Sequence, residues 1–161
     1  MPLAIVLRLD DAAAAAVRAV AGRLWPEAPP PEYPPHVTLI RTEDEGAAPR
    51  LLAAMRALPA APLQIRLEAL RHFAGPPPVC WLAPAPDSTL AACHAALVTA
   101  LAGVALHPHS QAPDWTPHVT LFAGQAQDGP VVPIEGWLVA AELVRFPPPV
   151  PLARRVFIPA A

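Results

Sequence analysis

Apolar residues recur along the chain with two periods, and the switching between them draws a series of short strands and helices. Leu3 to Leu9 is a run rich in Ile, Val and Leu, suited to a central strand with both faces covered or partly covered. Asp10 and Asp11 end it, and either can cap a helix in which Ala13, Val17, Val20 and Leu24 form a stripe. Pro26 stops that helix. Pro29, Pro30, Pro31, Pro34 and Pro35 then make a stiff, extended approach to a strand that opens Pro35-His36-Val37-Thr38-Leu39. Beyond the acidic turn Glu43-Asp44-Glu45-Gly46, a second helix has Pro49 near its first turn and Leu51, Leu52, Met55 and Leu58 inward. Leu63, Ile65, Leu67 and Ala69 alternate with Gln64, Arg66 and Glu68, the pattern of an antiparallel strand with one face free.

The second half repeats this order. Val79 to Ala83 reads as a strand, and Asp87 or Ser88 caps a helix with Leu90, Cys93, Leu97, Val98 and Leu101 inward and Gly103 at its end. A loop with Pro108, Pro113 and Pro117 feeds Pro117-His118-Val119-Thr120-Leu121, a second copy of the same five letters about half the chain after the first. Each copy closes a series of strand, helix and proline-bearing loop, which is the mark of a duplicated unit. Gly136 to Phe146 and Arg154 to Ile158 are expected to be strands paired across Pro147 to Pro151.

Composition narrows the picture. A chain of 161 residues, 54% hydrophobic and 15% charged, is expected to fold as a single domain over 1–161, with its 25 prolines gathered between the periodic segments. All 11 basic residues are Arg, against 13 acidic ones, for a formal charge of −2. Arg154-Arg155 is the only adjacent cationic pair, so no basic stripe suits a nucleic-acid duplex. Cys80 and Cys93 are too few and wrongly spaced for a zinc site or a redox pair. Without a basic leader or a long apolar run beyond the Ala-rich stretches, a monomeric cytoplasmic protein with no membrane partner is expected.

The chemistry lies in the repeat. In a strand, alternate side chains share a face, so His36 and Thr38 point one way and Val37 and Leu39 the other, and His118 and Thr120 likewise. With an ordinary pKa of about 6.5, a histidine can give or take a proton at neutral pH, and two can do both. One imidazole could deprotonate water while an imidazolium protonates a leaving oxygen, and the threonine hydroxyls could hold a phosphate between them. Such a pair opens a phosphodiester without a metal or cofactor. Which histidine is acid and which is base stays open.

The two H-x-T-hydrophobic motifs, one in each half, resemble those of the two-histidine phosphoesterase superfamily, in particular its bacterial 2′-5′ RNA ligase-like, cyclic phosphodiesterase branch. Pro78-Val79-Cys80-Trp81-Leu82 and the Leu-rich helix after it are also similar to that family's middle. The resemblance implies an α+β fold of two pseudo-symmetric lobes, each an antiparallel sheet with helices packed outside, enclosing a central cleft. It also implies hydrolysis of 2′,3′-cyclic phosphates at an RNA 3′ end or on a nucleotide, with 2′-5′ ligation as the reverse transfer. His36 and His118 would be catalytic, and Thr38 and Thr120 would bind phosphate. In many relatives an Arg follows the second motif, whereas here Arg41 follows the first and Ala123-Gly124 the second. Arg41 has the opposite strand parity to His36, so it needs a bend or the strand end to reach the same face.

Blander readings stand beside these. A lone His next to Thr is ordinarily a surface or satisfied core residue; the matched pair is what points to a site. His107 and His109 lack a third ligand, so no metal site is expected. His94 flanks its helix stripe and reads as structural. Phe73, expected in a loop with His72, is a candidate for stacking on a base, and Phe122 shares parity with Thr120 and should edge the cleft, unless each simply packs. Trp25, Trp81, Trp115 and Trp137 are expected in or near the core. A non-catalytic module that binds a nucleotide or RNA end in the same cleft is the competing function.

Overall fold

A computed structural model of the chain describes residues 1–159. Strand β1 (Leu3–Leu9) puts Leu3, Ile5, Leu7 and Leu9 into the main core, while Ala4 and Val6 are buried on its other face. Asp10 caps α1 (Asp11–Leu24) by accepting from the Ala13 N–H at 2.8 Å. Its second carboxylate oxygen accepts from the Trp137 N–H at 2.6 Å, which clips the helix start to the sheet. Close approach here requires glycine: a Cβ at Gly136 would lie 2.5 Å from the Ala13 Cβ. Ala13, Ala14, Val17 and Val20 are buried, but Leu24, in the last turn, is exposed.

The other elements follow in order: β2 (His36–Thr42), α2 (Ala48–Arg56), β3 (Leu63–Phe73), β4 (Val79–Pro84), α3 (Ser88–Ala100), β5 (Val119–Ala123), β6 (Gly129–Arg145) and β7 (Val150–Val156). Asp87 caps α3, and Gly103 takes a positive φ of 85° just beyond its end. The strands form an antiparallel sheet in the order β2-β1-β6-β3-β4-β5, with β7 also on β6. Among the described residues the fold is therefore α+β, an antiparallel sheet with three α-helices. β6 divides in two: Gly129 to Leu138 pairs with β3, and Leu138 to Arg145 with β1, while β7 adds along 140–145. It starts earlier than the sequence pattern suggests because Pro130 and Pro133 break that pattern, yet they are tolerated where β3 is the one paired neighbour.

β2 and β5, the two motif strands, share an irregularity. Ile5 opposes Ile40 and Val6 opposes Thr38, so Leu39 is an extra residue; Cys80 opposes Phe122 and Trp81 opposes Thr120, so Leu121 is its counterpart. Each is a bulge that reverses strand parity beyond it. Val37, Leu39, Ile40 and Thr42 are all buried, as are Val119, Leu121 and Phe122. Arg41 is thereby returned to the face of His36 and Thr38, and Phe122 is turned into the core. A similar shift after Leu67 in β3 buries Leu70 where unbroken alternation favours Ala69. His72 and Phe73 lie on β3 itself, and Trp25 and Trp137 are substantially exposed where core positions were expected.

Candidate active site

Both motif histidines are anchored the same way. Nδ1–H of His36 donates to the Pro34 carbonyl at 2.8 Å, and Nδ1–H of His118 to the Thr116 carbonyl at 2.7 Å. A carbonyl only accepts, so each Nδ1 carries the proton and each Nε2 is the nitrogen left for chemistry. The proline-bearing approaches supply these carbonyls, which gives them a physical role beyond stiffness. Burial lowers the pKa of both rings below the ordinary value, against a smaller upward pull from the carbonyls. His36 is lowered further by the charges of His118 and Arg8.

Each ring has its own aromatic setting. Phe73 packs edge-on to His118 at 4.9 Å and stacks on Trp81 at 4.7 Å, and Trp81 is itself edge-on to His118 at 5.6 Å. Tyr33 packs edge-on to His36 at 5.1 Å, with the Arg8 guanidinium 5.3 Å from the Tyr33 ring centre. Arg8 is the direct cross-strand partner of His36. Glu142, buried on β6, accepts from Arg8 and from Arg154, each at 3.0 Å. Sequence reading missed this cluster. Its signal was present in Arg8, which shares parity with Ala4 and Val6 opposite the leucines, and in one acid within the apolar run of β6.

Two cavities meet at His36. The larger, 670 Å³, lies between α1 and the Pro26 to Pro35 segment and has His36 and Thr120 in its wall, so residues of both motifs line one space. The smaller, 310 Å³, is walled by Thr38, Tyr33, Val6, Val144 and Phe146 beside His36. Arg41 stands on this side, paired with Glu43 at 2.9 Å and resting 5.3 Å from the Phe146 ring centre. Phe122 does not edge the cleft; it packs edge-on to Trp25 at 5.4 Å on the core side of the β5 bulge.

The approach to the second motif is tied to the strand of the first. Trp115 donates its indole N–H to the Thr38 carbonyl at 3.1 Å and lies flat on His94 at 3.9 Å. Nε2–H of His94 donates to the Ser110 carbonyl at 2.7 Å, and the Ser110 hydroxyl accepts from the Arg41 N–H at 2.8 Å. His94 is therefore structural, as its place beside the α3 stripe suggests. His107 and His109 are 5.0 Å apart, and among the described residues no group of three or more His, Cys, Asp or Glu could hold a metal ion. No helix among them is long and apolar enough to cross a membrane.

A family model described as the 2′-5′ RNA ligase superfamily matches residues 9–147. TT0787 of Thermus thermophilus is similar in structure with a TM-score of 0.69 and 24% identity, covering 98% of each chain. E. coli LigT in complex with 3′-AMP gives a TM-score of 0.71 at 18% identity, over 98% of this chain and 99% of that one. A structure described as a phosphoesterase gives 0.66 at 19% identity, over 97% and 98%. At such identities the structural likeness speaks for the fold alone. No curated protein matches.

Proposed function

The chain belongs to the 2′-5′ RNA ligase superfamily, and from that premise we propose that it is a phosphodiesterase that opens 2′,3′-cyclic phosphates. The observation that carries the reading is the matched anchoring of His36 and His118, which leaves the Nε2 of each free for chemistry, with His36 and Thr120 of the two motifs in the wall of one cavity. In this reading His36, whose pKa is lowered by burial and by the His118 and Arg8 charges, is the base. Its Nε2 takes a proton from water as the water oxygen attacks phosphorus. The bond from phosphorus to one ribose oxygen breaks, and that oxygen takes the Nε2 proton of a His118 imidazolium, leaving a phosphate monoester. Because the two imidazoles supply base and acid, the reaction needs no metal to activate water.

Thr38 and Thr120 bind the non-bridging oxygens, and Arg41, on the His36 face beyond its bulge, joins them. Its exposed pair with Glu43 is worth about 1 kcal/mol or less, so a charge-assisted bond to phosphate can replace it. Phe73 holds the His118 ring in place. The division of β6 between β3 and the β1–β7 side supports a two-lobed reading of the domain, with one motif on each lobe. A formal charge of −2 and the lack of a basic stripe favour a small nucleotide or a single RNA 3′ end over a long duplex. LigT has been crystallised with 3′-AMP, ATP and NADP+, which agrees with a nucleotide-sized ligand. Incubation with 2′,3′-cyclic mononucleotides and with cyclic-ended RNA, followed by separation of the products, tests the activity. It also shows whether a 2′- or a 3′-phosphate is released.

A further inference from the structure

The 670 Å³ cavity has room for a whole small molecule, far more than one phosphate at His36 and Thr120 would fill. Helix α1 supplies a separate part of its wall through Arg18, Ala21, Gly22 and Trp25. Their spacing of three, four and seven residues puts them on one face of the helix, so that face turns toward the cavity. A Cβ added at Gly22 would meet nothing within 4 Å, which leaves open space beside Arg18. Arg18 is exposed and lies off the buried stripe of α1, and among the described residues it takes part in no ion pair. It is the one guanidinium in the cavity wall, and Glu32 is the one carboxylate. A free cation thus looks into the same space as residues of both motifs.

We propose that Arg18 is a second anion contact of the site and selects substrates that carry a further phosphate, on the 5′ oxygen of the nucleoside whose 2′,3′-phosphate reacts. The proposal rests on the phosphodiesterase reading and names the group by which one cyclic phosphate is preferred over another. A guanidinium suits the task because its planar fork of N–H donors matches phosphate oxygens and keeps its charge at any working pH. One such cation, with Glu32 also in the wall, fits a single additional phosphate. A longer run of phosphates would need the basic stripe that this chain lacks. Nucleosides with a free 5′ hydroxyl would leave Arg18 unused.

Equilibrium binding of 3′-AMP and of adenosine 3′,5′-bisphosphate, which differ only in the second phosphate, tests this without relying on turnover. The parent protein should prefer the bisphosphate by about tenfold at low salt, the order of one charge-assisted contact. Arg18→Gln should remove most of that preference. Arg23→Gln takes the same charge from an exposed position of α1 outside the cavity wall, and it should keep the preference. Both substitutions fall on exposed helix positions, and thermal unfolding checks that each variant is folded. Equal affinities in the parent, or no binding of either compound, would overturn the role of Arg18. So would a preference that survives Arg18→Gln, or one lost as much in Arg23→Gln, which would mark a general effect of charge. Absence of hydrolysis of a 2′,3′-cyclic nucleotide, by contrast, counts against the phosphodiesterase reading and leaves this comparison intact.

Discussion

Arg8 and His36 face each other as direct cross-strand partners on β1 and β2, and the guanidinium lowers the proton affinity of the imidazole. Replacing Arg8 with Met keeps the length of the side chain and removes the charge. The pKa of His36 should rise toward its ordinary value. If His36 is the base, the limb on which kcat/KM rises with pH should then move to higher pH, while the other limb stays in place. A shift of the falling limb in place of the rising one in Arg8→Met would contradict the assignment of His36 as base.

Acid should unfold the protein through its histidines. Burial lowers the pKa of His36, His94 and His118 in the folded chain, so the unfolded chain binds more protons as pH falls through about 6.5. Stability is fully present above that value and is lost progressively below it, until the lowered folded pKa values are passed. Urea unfolding at pH 7.5 and pH 5.5 should show a lower midpoint at the acid value. A higher midpoint at pH 5.5 would mean that these rings gain more from their surroundings as cations than burial takes away.

Trp115 couples the second motif to the first strand. Trp115→Phe retains a ring to lie on His94 but removes the bond to the Thr38 carbonyl, at an expected cost of about 1 kcal/mol in unfolding free energy. Because Trp115 lies three residues before His118, kcat should fall as well. A variant as stable and as active as the parent would show that the bond positions nothing.

Gly136 sets how closely α1 approaches β6. In Gly136→Ala the new methyl would meet the Ala13 Cβ, so an overpacking cost of roughly 1–3 kcal/mol is expected. Chemical denaturation reads it directly. The double variant Gly136→Ala with Ala13→Gly should recover part of the loss, since it removes the carbon that the new methyl strikes.

The main elements and the two motifs were legible in the sequence because period and capping signals agree there: Asp10 ends β1 and caps α1, and proline loops lead into both histidines. What escaped was set by pairing geometry that no single strand carries. Leu39 and Leu121 look like ordinary alternating residues, and only their partners on β1 and β4 show that they are bulged. That one feature brings Arg41 to the face of His36, where parity alone had set it opposite, and it sends Phe122 inward. Arg8 went unnoticed because β1 reads as a uniform apolar run, and the start of β6 was hidden by Pro130 and Pro133. His72 and Phe73 extend β3 because β4 pairs with them, a contact across the Gly75 to Pro78 turn that local composition does not reveal.

Joint action of His36 and His118 on a cyclic phosphodiester is read by the turnover rate of a 2′,3′-cyclic nucleotide in excess EDTA, for the parent protein, His36→Ala and His118→Ala, with each variant shown to be folded. The parent should turn the nucleotide over in chelator, and each variant should lose at least about 100-fold, the scale of a general acid or base. Full activity in either folded variant, or a parent that binds the nucleotide without converting it, would contradict it.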